Sequence, residues 1–295
     1  MFIKNEPHEG PIVIAEIGCN HKGSMELAKE LLVSAALFCK VPAVKFQKRT
    51  NRELLSEEEY NAPHPNPMHS YGDTYGAHRE YLELDVDQHQ QLKEWCEELG
   101  LIYSSSVWDL TAAKEICGLE PTSVKIPSAC NTKWHMLEWI CAEYGGEIQV
   151  SLGMTTRAEE DELIAMFERH GRLKDLVLFS CTSGYPVAFE DVCLGEITRL
   201  RDTYAKSVKA VGFSGHHLGI AVDIAAITLG AELVERHFTL DRTFKGTDHA
   251  ASLEPNGMRK LVRDVRNVSK AFGTKSSEIL EVEAVQREKL KSGDS

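Results

Sequence analysis

Residues 232–241 read "ELVERHFTLD". The run is too short and too rich in Val, Phe and Leu for a surface helix, and it reads as a buried strand over 233–238. An acid, a guanidinium and an imidazole inside such a strand must each find a partner, because unpaired buried charge is costly. Side chains alternate along a strand, so Leu233, Glu235 and His237 share one face while Val234, Arg236 and Phe238 share the other. Glu235 and His237 both stand near the strand's end, and that placement decides which folds fit.

Working outward, seven further β-branched runs precede this one: "IVIAEIG" (12–18), "AVKFQ" (43–47), "LIYSSS" (101–106), "SVKIPS" (123–128), "EIQVSLG" (147–153), "LVLFSCTS" (176–183) and "KAVGFSGH" (209–216). Helical periods lie between them. "SMELAKELLVSAALFCK" has Ser24 as an N-cap, "VDQHQQLKEWCEELG" stops at Gly100, and "EPNGMRKLVRDVRNVSKAFG" stops at Gly273. Eight βα units without a Gly/Pro-rich linker predict an α/β (β/α)8 TIM barrel over residues 1–275, with an open doubly wound sheet as the alternative. Residues 276–295 read as a charged C-terminal tail or linker. The stretch 48–85, containing "NAPHPNPMHSYGDTYGAH", breaks the repeat and reads as a lid or binding loop inserted after the second strand.

Barrel enzymes gather their reactive groups at the C-terminal ends of the strands, and the polar residues here fall there. Glu16 ends the first strand, Lys45 and Gln47 share a face of the second, Ser214 shares one with His216, and Glu235 shares one with His237. Ser105, Ser106, Lys125, Ser128, Ser151, Thr182, Ser183 and Tyr185 stand at the ends of the others. Two lysines among hydroxyls suit a phosphate or carboxylate ligand. His216 and His237 end neighbouring strands and form a candidate site for a divalent ion with open positions; for either alone, a hydrogen-bonded core histidine or a general base is the competing reading. His217 has the opposite parity and points away.

The bulk numbers narrow the classes. A 295-residue chain with 42% hydrophobic and 26% charged residues is globular, and its net charge of −12 argues against nucleic acid and anionic membranes as partners. No basic, apolar leader opens it and no run approaches ~18 apolar residues, so a cytoplasmic location is expected. The eight cysteines form no CxxC pair and read as reduced thiols.

The stretches "IAEIGCNHKGS", "AVKFQ", "KIPS", "SLGMTT", "CTSGYPV", "GFSGHHLGI", "ERHFTLD" and "GTDHAASLEP" occur in the order found in the N-acetylneuraminate (sialic acid) synthase family, which this sequence closely resembles. That resemblance implies a phosphoenolpyruvate-dependent transferase that condenses the enol with an N-acylated hexose of N-acetylmannosamine type. It places phosphoenolpyruvate on Lys45, Ser106, Lys125, Ser128, Ser151, Ser183 and Ser214. Glu16 would lie beside the reacting enol, a divalent manganese or magnesium on His216 and His237, and the sugar against Gln47, Tyr185, Glu235 and Asp248. Glu16, Lys45, Lys125, His216 and His237 are then the candidate catalytic groups. A homodimer is also implied.

The resemblance has departures. "KIPSACNTK" carries Ala129 and Cys130 where the family often has Gly-Glu. Family members usually continue into a small antifreeze-protein-like domain that contributes an arginine to the sugar site, and the sequence stops where that linker would begin. The alternatives are a synthase acting on a phosphorylated sugar aldehyde, for which the insertion offers Lys48, Arg49, Arg52 and Arg79; a Schiff-base aldolase using Lys125; and an inactive sugar-phosphate-binding barrel.

Overall fold

The computed structural model describes residues 10–291 and is a closed barrel of eight parallel strands in sequential order. The strands are β1 Ile12–Gly18, β2 Ala43–Lys48, β3 Ile102–Val107, β4 Ser123–Ile126, β5 Glu147–Ser151, β6 Leu176–Cys181, β7 Ala210–Gly215 and β8 Leu233–His237. Each lies within two residues of its expected bounds. β8 closes on β1 with Glu16 opposite His237, so both ends of the sequence's strand series meet in one wall. An open sheet is thereby excluded.

The surrounding helices are α1 Met25–Val33, α2 Asn51–Leu54, α3 Glu57–Asn61, α4 Tyr75–Leu82, α5 Val86–Glu98, α6 Leu110–Gly118, α7 Trp134–Glu143, α8 Arg157–Arg169, α9 Gly195–Tyr204, α10 Ala221–Thr228, α11 Pro255–Ala271 and α12 Glu281–Leu290. Ser24 caps α1 by accepting from the Leu27 amide at 3.2 Å, as its position predicts. α12 is exposed and polar, and among the described residues no helix is long and apolar enough to cross a membrane. All eight cysteines are free thiols.

Two cores result from strand alternation. Outward residues such as Val13, Ala15, Ile17, Val44 and Phe46 pack under the helices, while inside the barrel only a small apolar plug forms from Ile14, Ala43, Val177, Phe179 and Leu233. Above this plug, toward the C-terminal mouth, the interior turns polar. Arg236 points outward, is 1% exposed, and donates to Asp223 of α10 and to the carbonyls of His217 and Gly219, which supplies the carboxylate partner its burial demands. His217 belongs to this network, with Nε2 3.0 Å from the Arg236 guanidinium, and plays no part in the mouth.

The insertion after β2 is built from α2, α3, a 3-10 turn at Pro67–His69, and α4. It reaches the loop after β8: the Tyr71 hydroxyl donates to the Lys245 carbonyl at 2.5 Å, and the Gly246 amide donates to His69 Nδ1 at 3.3 Å. Since β2 and β8 both end at the C-terminal mouth, the insertion lies along that rim.

Burial sets a pH limit on this fold. Burial and the nearby Arg49 push His21 down to about 4, and burial with Lys48 pushes His89 down to about 3. The unfolded chain takes up these protons near pH 6.5, so stability falls as pH drops below that value and stops falling near pH 3–4. Each group contributes on the order of 1–2 kcal/mol of loss at pH 5. We expect the melting temperature at pH 5 to lie several degrees below that at pH 7; an unchanged value would contradict the neutral burial of these rings.

Candidate active site

A cavity of about 300 Å³ opens at the C-terminal mouth. Its wall contains Glu16, Lys45, Gln47, Ser106, Lys125, Ser128, Ser151, Ser183, Tyr185, Ser214, His216, Glu235 and His237, every residue that the family resemblance assigns to the site except Asp248. They converge because each occupies an inward position at the end of its strand or just beyond it. A larger cavity of about 510 Å³ opens at the opposite mouth, but its lining includes isoleucines, Val177 and Leu233, and its lysine, Lys209, is already paired with Glu147 at 2.8 Å. Chemistry favours the smaller cavity.

The floor is a charge lattice. Lys45 Nζ lies 2.5 Å from Glu16 Oε2, 2.6 Å from Ser106 Oγ and 3.7 Å from Glu235 Oε2. Lys125 reaches across the barrel to the same Glu235 oxygen at 3.3 Å and sits 3.3 Å above the centre of the Phe179 ring. Ser214 donates to the other Glu235 oxygen at 3.1 Å. Burial works against charge on Glu235, yet Lys125 and Lys45 together hold its carboxyl down at about 2. Glu16 goes the other way: burial raises its pKa, Lys45 opposes and Glu235 reinforces the rise. Burial lowers the pKa of Lys125, with Glu235 opposing and Lys45 assisting. The two carboxylates thus act as counter-ions to two lysines that an anionic ligand can claim.

Two glycines make room for this lattice. At Gly18, φ is +55° and a Cβ would come within 2.8 Å of Gln47 Nε2; at Gly153 it would meet Ser183 Oγ at 2.4 Å and Ser128 Oγ at 2.7 Å. Gly153 also donates its amide to Ser128 Oγ at 3.1 Å.

On one side of the mouth stand two imidazoles with ring centres 5.6 Å apart. His216 Nδ1 lies 3.1 Å from the Thr182 carbonyl, which assigns the proton to Nδ1 and leaves Nε2 as a lone pair. Burial, then His237, lowers the His216 pKa to about 4, so the ring is neutral at pH 7. His237 Nδ1 is buried without a hydrogen-bond partner, 4.0 Å from Asp248 Oδ2. Two imidazole nitrogen donors, one of them a ring atom without a partner, fit a borderline divalent ion better than magnesium, which favours oxygen. No group of three or more His, Cys, Asp or Glu side chains suited to a metal occurs among the described residues, so ligands other than the protein would complete the sphere.

Other expected groups fall elsewhere. Asp248 is not part of the cavity wall and meets the site only through His237. Ser105 and Thr182 are also outside the wall; Ser105 bonds to the Ser106 carbonyl and Thr182 to the Asp191 carbonyl. Cys130 turns its thiol to the Trp108 carbonyl at 3.3 Å rather than into the cavity, and burial pushes its pKa up to about 11. Trp108, Met154 and Cys181 line the cavity without having been singled out. Alternation would have found two of them: Trp108 has the parity of Ser106, and Cys181 that of Phe179.

The insertion's cations are largely spoken for. Lys48 pairs with Glu115 at 3.1 Å, Arg49 with Glu83 at 3.1 Å, and the exposed Arg52 with Glu57 at 3.4 Å. Arg79 has no carboxylate within ion-pair distance among the described residues and lies against the rings of Tyr75 and Trp108.

The chain matches the NeuB family over residues 32–277. It is 36% identical over 279 residues to N-acetylneuraminate-9-phosphate synthase of Homo sapiens, covering 94% of this chain and 76% of the human protein. It is 32% identical over 263 residues to N,N'-diacetyllegionaminic acid synthase of Campylobacter jejuni, covering 89% of this chain and 77% of that protein. Its fold superposes on the crystal structure of N-acetylneuraminic acid synthetase from Leptospira borgpetersenii with a TM-score of 0.81 and 24% identity, covering 99% of this chain and 98% of that one. The chain therefore belongs to the NeuB family, the sialic acid synthases that its ordered motifs resemble, and is a carbon–carbon bond-forming enzyme of that family.

Proposed function

We propose that this enzyme condenses phosphoenolpyruvate with an open-chain N-acylated hexose of N-acetylmannosamine type, yielding a nonulosonic 2-keto-3-deoxy acid and inorganic phosphate. The observation that carries this reading is the juxtaposition of two buried lysines, ringed by serines, with two imidazoles in one cavity. The names of the relatives, synthases of nonulosonic acids and their phosphates, support it.

Lys45 and Lys125 supply point charges for the phosphate and carboxylate of the enol, exchanging their contacts with Glu16 and Glu235 for the ligand. Ser106, Ser128, Ser151, Ser183 and Ser214 add hydroxyl donors around it. Gln47 and Tyr185 meet the sugar from the rim, and Glu235 accepts from a sugar hydroxyl once the lysines turn to the ligand. His216 and His237 hold a divalent ion, manganese in preference to magnesium, which supplies Lewis acidity toward a carbonyl oxygen. Carbon 3 of the enol forms the new bond to the aldehyde carbon, water adds at carbon 2, and phosphate leaves by C–O cleavage. Glu16, buried with a raised pKa and hydrogen-bonded only by donors, is the group placed to take the proton from that water.

A second reading, a sugar phosphorylated at its far end, is favoured by Arg79, the insertion cation left without a carboxylate beside cavity-lining Trp108. Phosphate release measured with N-acetylmannosamine, its 6-phosphate and related N-acylhexosamines, with and without manganese, tests both. We expect release that needs sugar and enol together and is highest with the free sugar. A preference for the 6-phosphate that disappears in Arg79→Met would assign the second reading, and no release with any sugar would overturn both.

A further inference from the structure

Arg49 follows directly on β2 and is 5% exposed, yet it does not line the cavity. Four contacts immobilise it. Its backbone amide and Nη1 both donate to the Glu83 carboxylate, at 3.0 and 3.1 Å, and its guanidinium lies over the Trp108 ring with 4.3 Å to the ring centre. Nη1 also donates to Cys19 Sγ at 3.1 Å. Nε has no hydrogen-bond partner, whereas Nη2 donates to Gln47 Oε1, and Gln47 Nε2 in turn donates to Glu16 Oε1 at 2.7 Å.

We propose that Arg49 is a positioning residue for the sugar: held by Glu83 at the far end of the insertion, it fixes which face of the Gln47 amide is offered to the substrate. The inference rests on the reaction proposed above. A guanidinium can only donate, so the amide must turn its oxygen to Arg49 and its nitrogen to Glu16. The one amide hydrogen and one lone pair left over then point into the cavity in a single sense. Gly18 leaves the room this placement of the amide needs, since a Cβ there would press on Gln47 Nε2 at 2.8 Å. Without Arg49 the amide oxygen loses its donor and the side chain gains a second orientation. The insertion would thus select the sugar through one residue that touches no substrate.

A double-mutant cycle on the full chain tests this. Arg49→Met should raise the KM for the sugar about tenfold and leave that for phosphoenolpyruvate within about twofold. Gln47→Ala should do the same, and the double variant should be no worse than Gln47→Ala alone, because the two substitutions remove one interaction. Arg49→Lys, which keeps a donor, should recover part of the loss. Glu83→Gln, which keeps an acceptor and the bulk, should weaken the sugar KM in the same direction if Arg49→Met proves too unstable to assay. Additive losses, or equal rises in both KM values, would overturn the proposal and leave Arg49 a structural residue. Failure of every sugar to react would sink the reaction instead; the link would still be read from the Gln47 side-chain amide protons by NMR, which should shift in Arg49→Met and which, if unmoved, refute it.

Discussion

Lys125→Met is expected to lower kcat/KM for phosphoenolpyruvate by about 10³-fold and to remove the rise in melting temperature that the enol gives the native enzyme. Lys125 is 1% exposed, its Nζ lies 3.3 Å from Glu235 Oε2, and the Phe179 ring covers it from below. An ammonium in so dry a place cannot be replaced by water. Truncating one member of a buried charge pair costs about 2–5 kcal/mol, and the stated loss, about 4 kcal/mol, lies in the upper half of that range. Methionine preserves the bulk, so the packing on Phe179 survives. The thermal shift matters because kinetics alone would not separate an anion clamp from a Schiff-base nucleophile: both lose activity, but only the clamp loses ligand-induced stabilisation of RT ln(1 + [L]/Kd). Borohydride with pyruvate should trap no adduct on the native chain. A loss below about tenfold, or an intact thermal shift, would remove Lys125 from the anion site.

How far this site could be read in advance depends on the range of the signal. Strand alternation is local, and it placed Glu16, Lys45, Gln47, Ser214, His216, Glu235 and His237 on inward faces because a period of two needs no tertiary information. It also put Arg236 on the opposite face, where its partner is Asp223 of α10. Partner choice is not local. The register that sets Glu16 opposite Lys45 and His237, and the reach of Lys125 across the barrel to a residue 110 positions away, follow from the stagger of the closed sheet. The family resemblance therefore gave Glu235 as a sugar contact, while the structure makes it the counter-ion of two lysines.

The insertion shows the same division. Its composition marked it as foreign to the βα repeat, and its helices are locally encoded: Ser56 and Glu59 form a capping box, and Thr74 caps α4. Its docking is not encoded locally, since Arg49 meets Glu83 from 34 positions away and Tyr71 meets Lys245 from 174. Cys130 is the instructive case. Its place after "KIPS" marks a carboxylate that the family often carries and this chain lacks, while the contact its thiol makes instead, to the Trp108 carbonyl at 3.3 Å, could not be read from the sequence.

His216→Ala and His237→Ala should each abolish saturable manganese binding and lower metal-stimulated phosphate release by more than about 10²-fold, with the ligand-free melting transition still present. The magnitude follows from comparison: removing a group that merely orients a metal ligand costs about 10–100-fold, and removing the ligand itself costs more. Among the described residues His216 and His237 are the two imidazoles that line the cavity, and loss of either leaves one. Calorimetric titration with manganese is the measurement, because it reads binding without turnover. Chelation of the native enzyme should reproduce the loss of activity, and added manganese should restore it there but not in the variants. His217→Gln supplies the contrast, since His217 bonds to Arg236 behind the barrel wall and should change stability while sparing the manganese isotherm. If both alanine variants bind manganese as the native chain does, the two rings are a hydrogen-bonded pair and the ion lies elsewhere. If only His237→Ala binds normally, His216 acts with ligands outside this pair, and the neutral lone pair set by the Thr182 carbonyl becomes the anchor of the site.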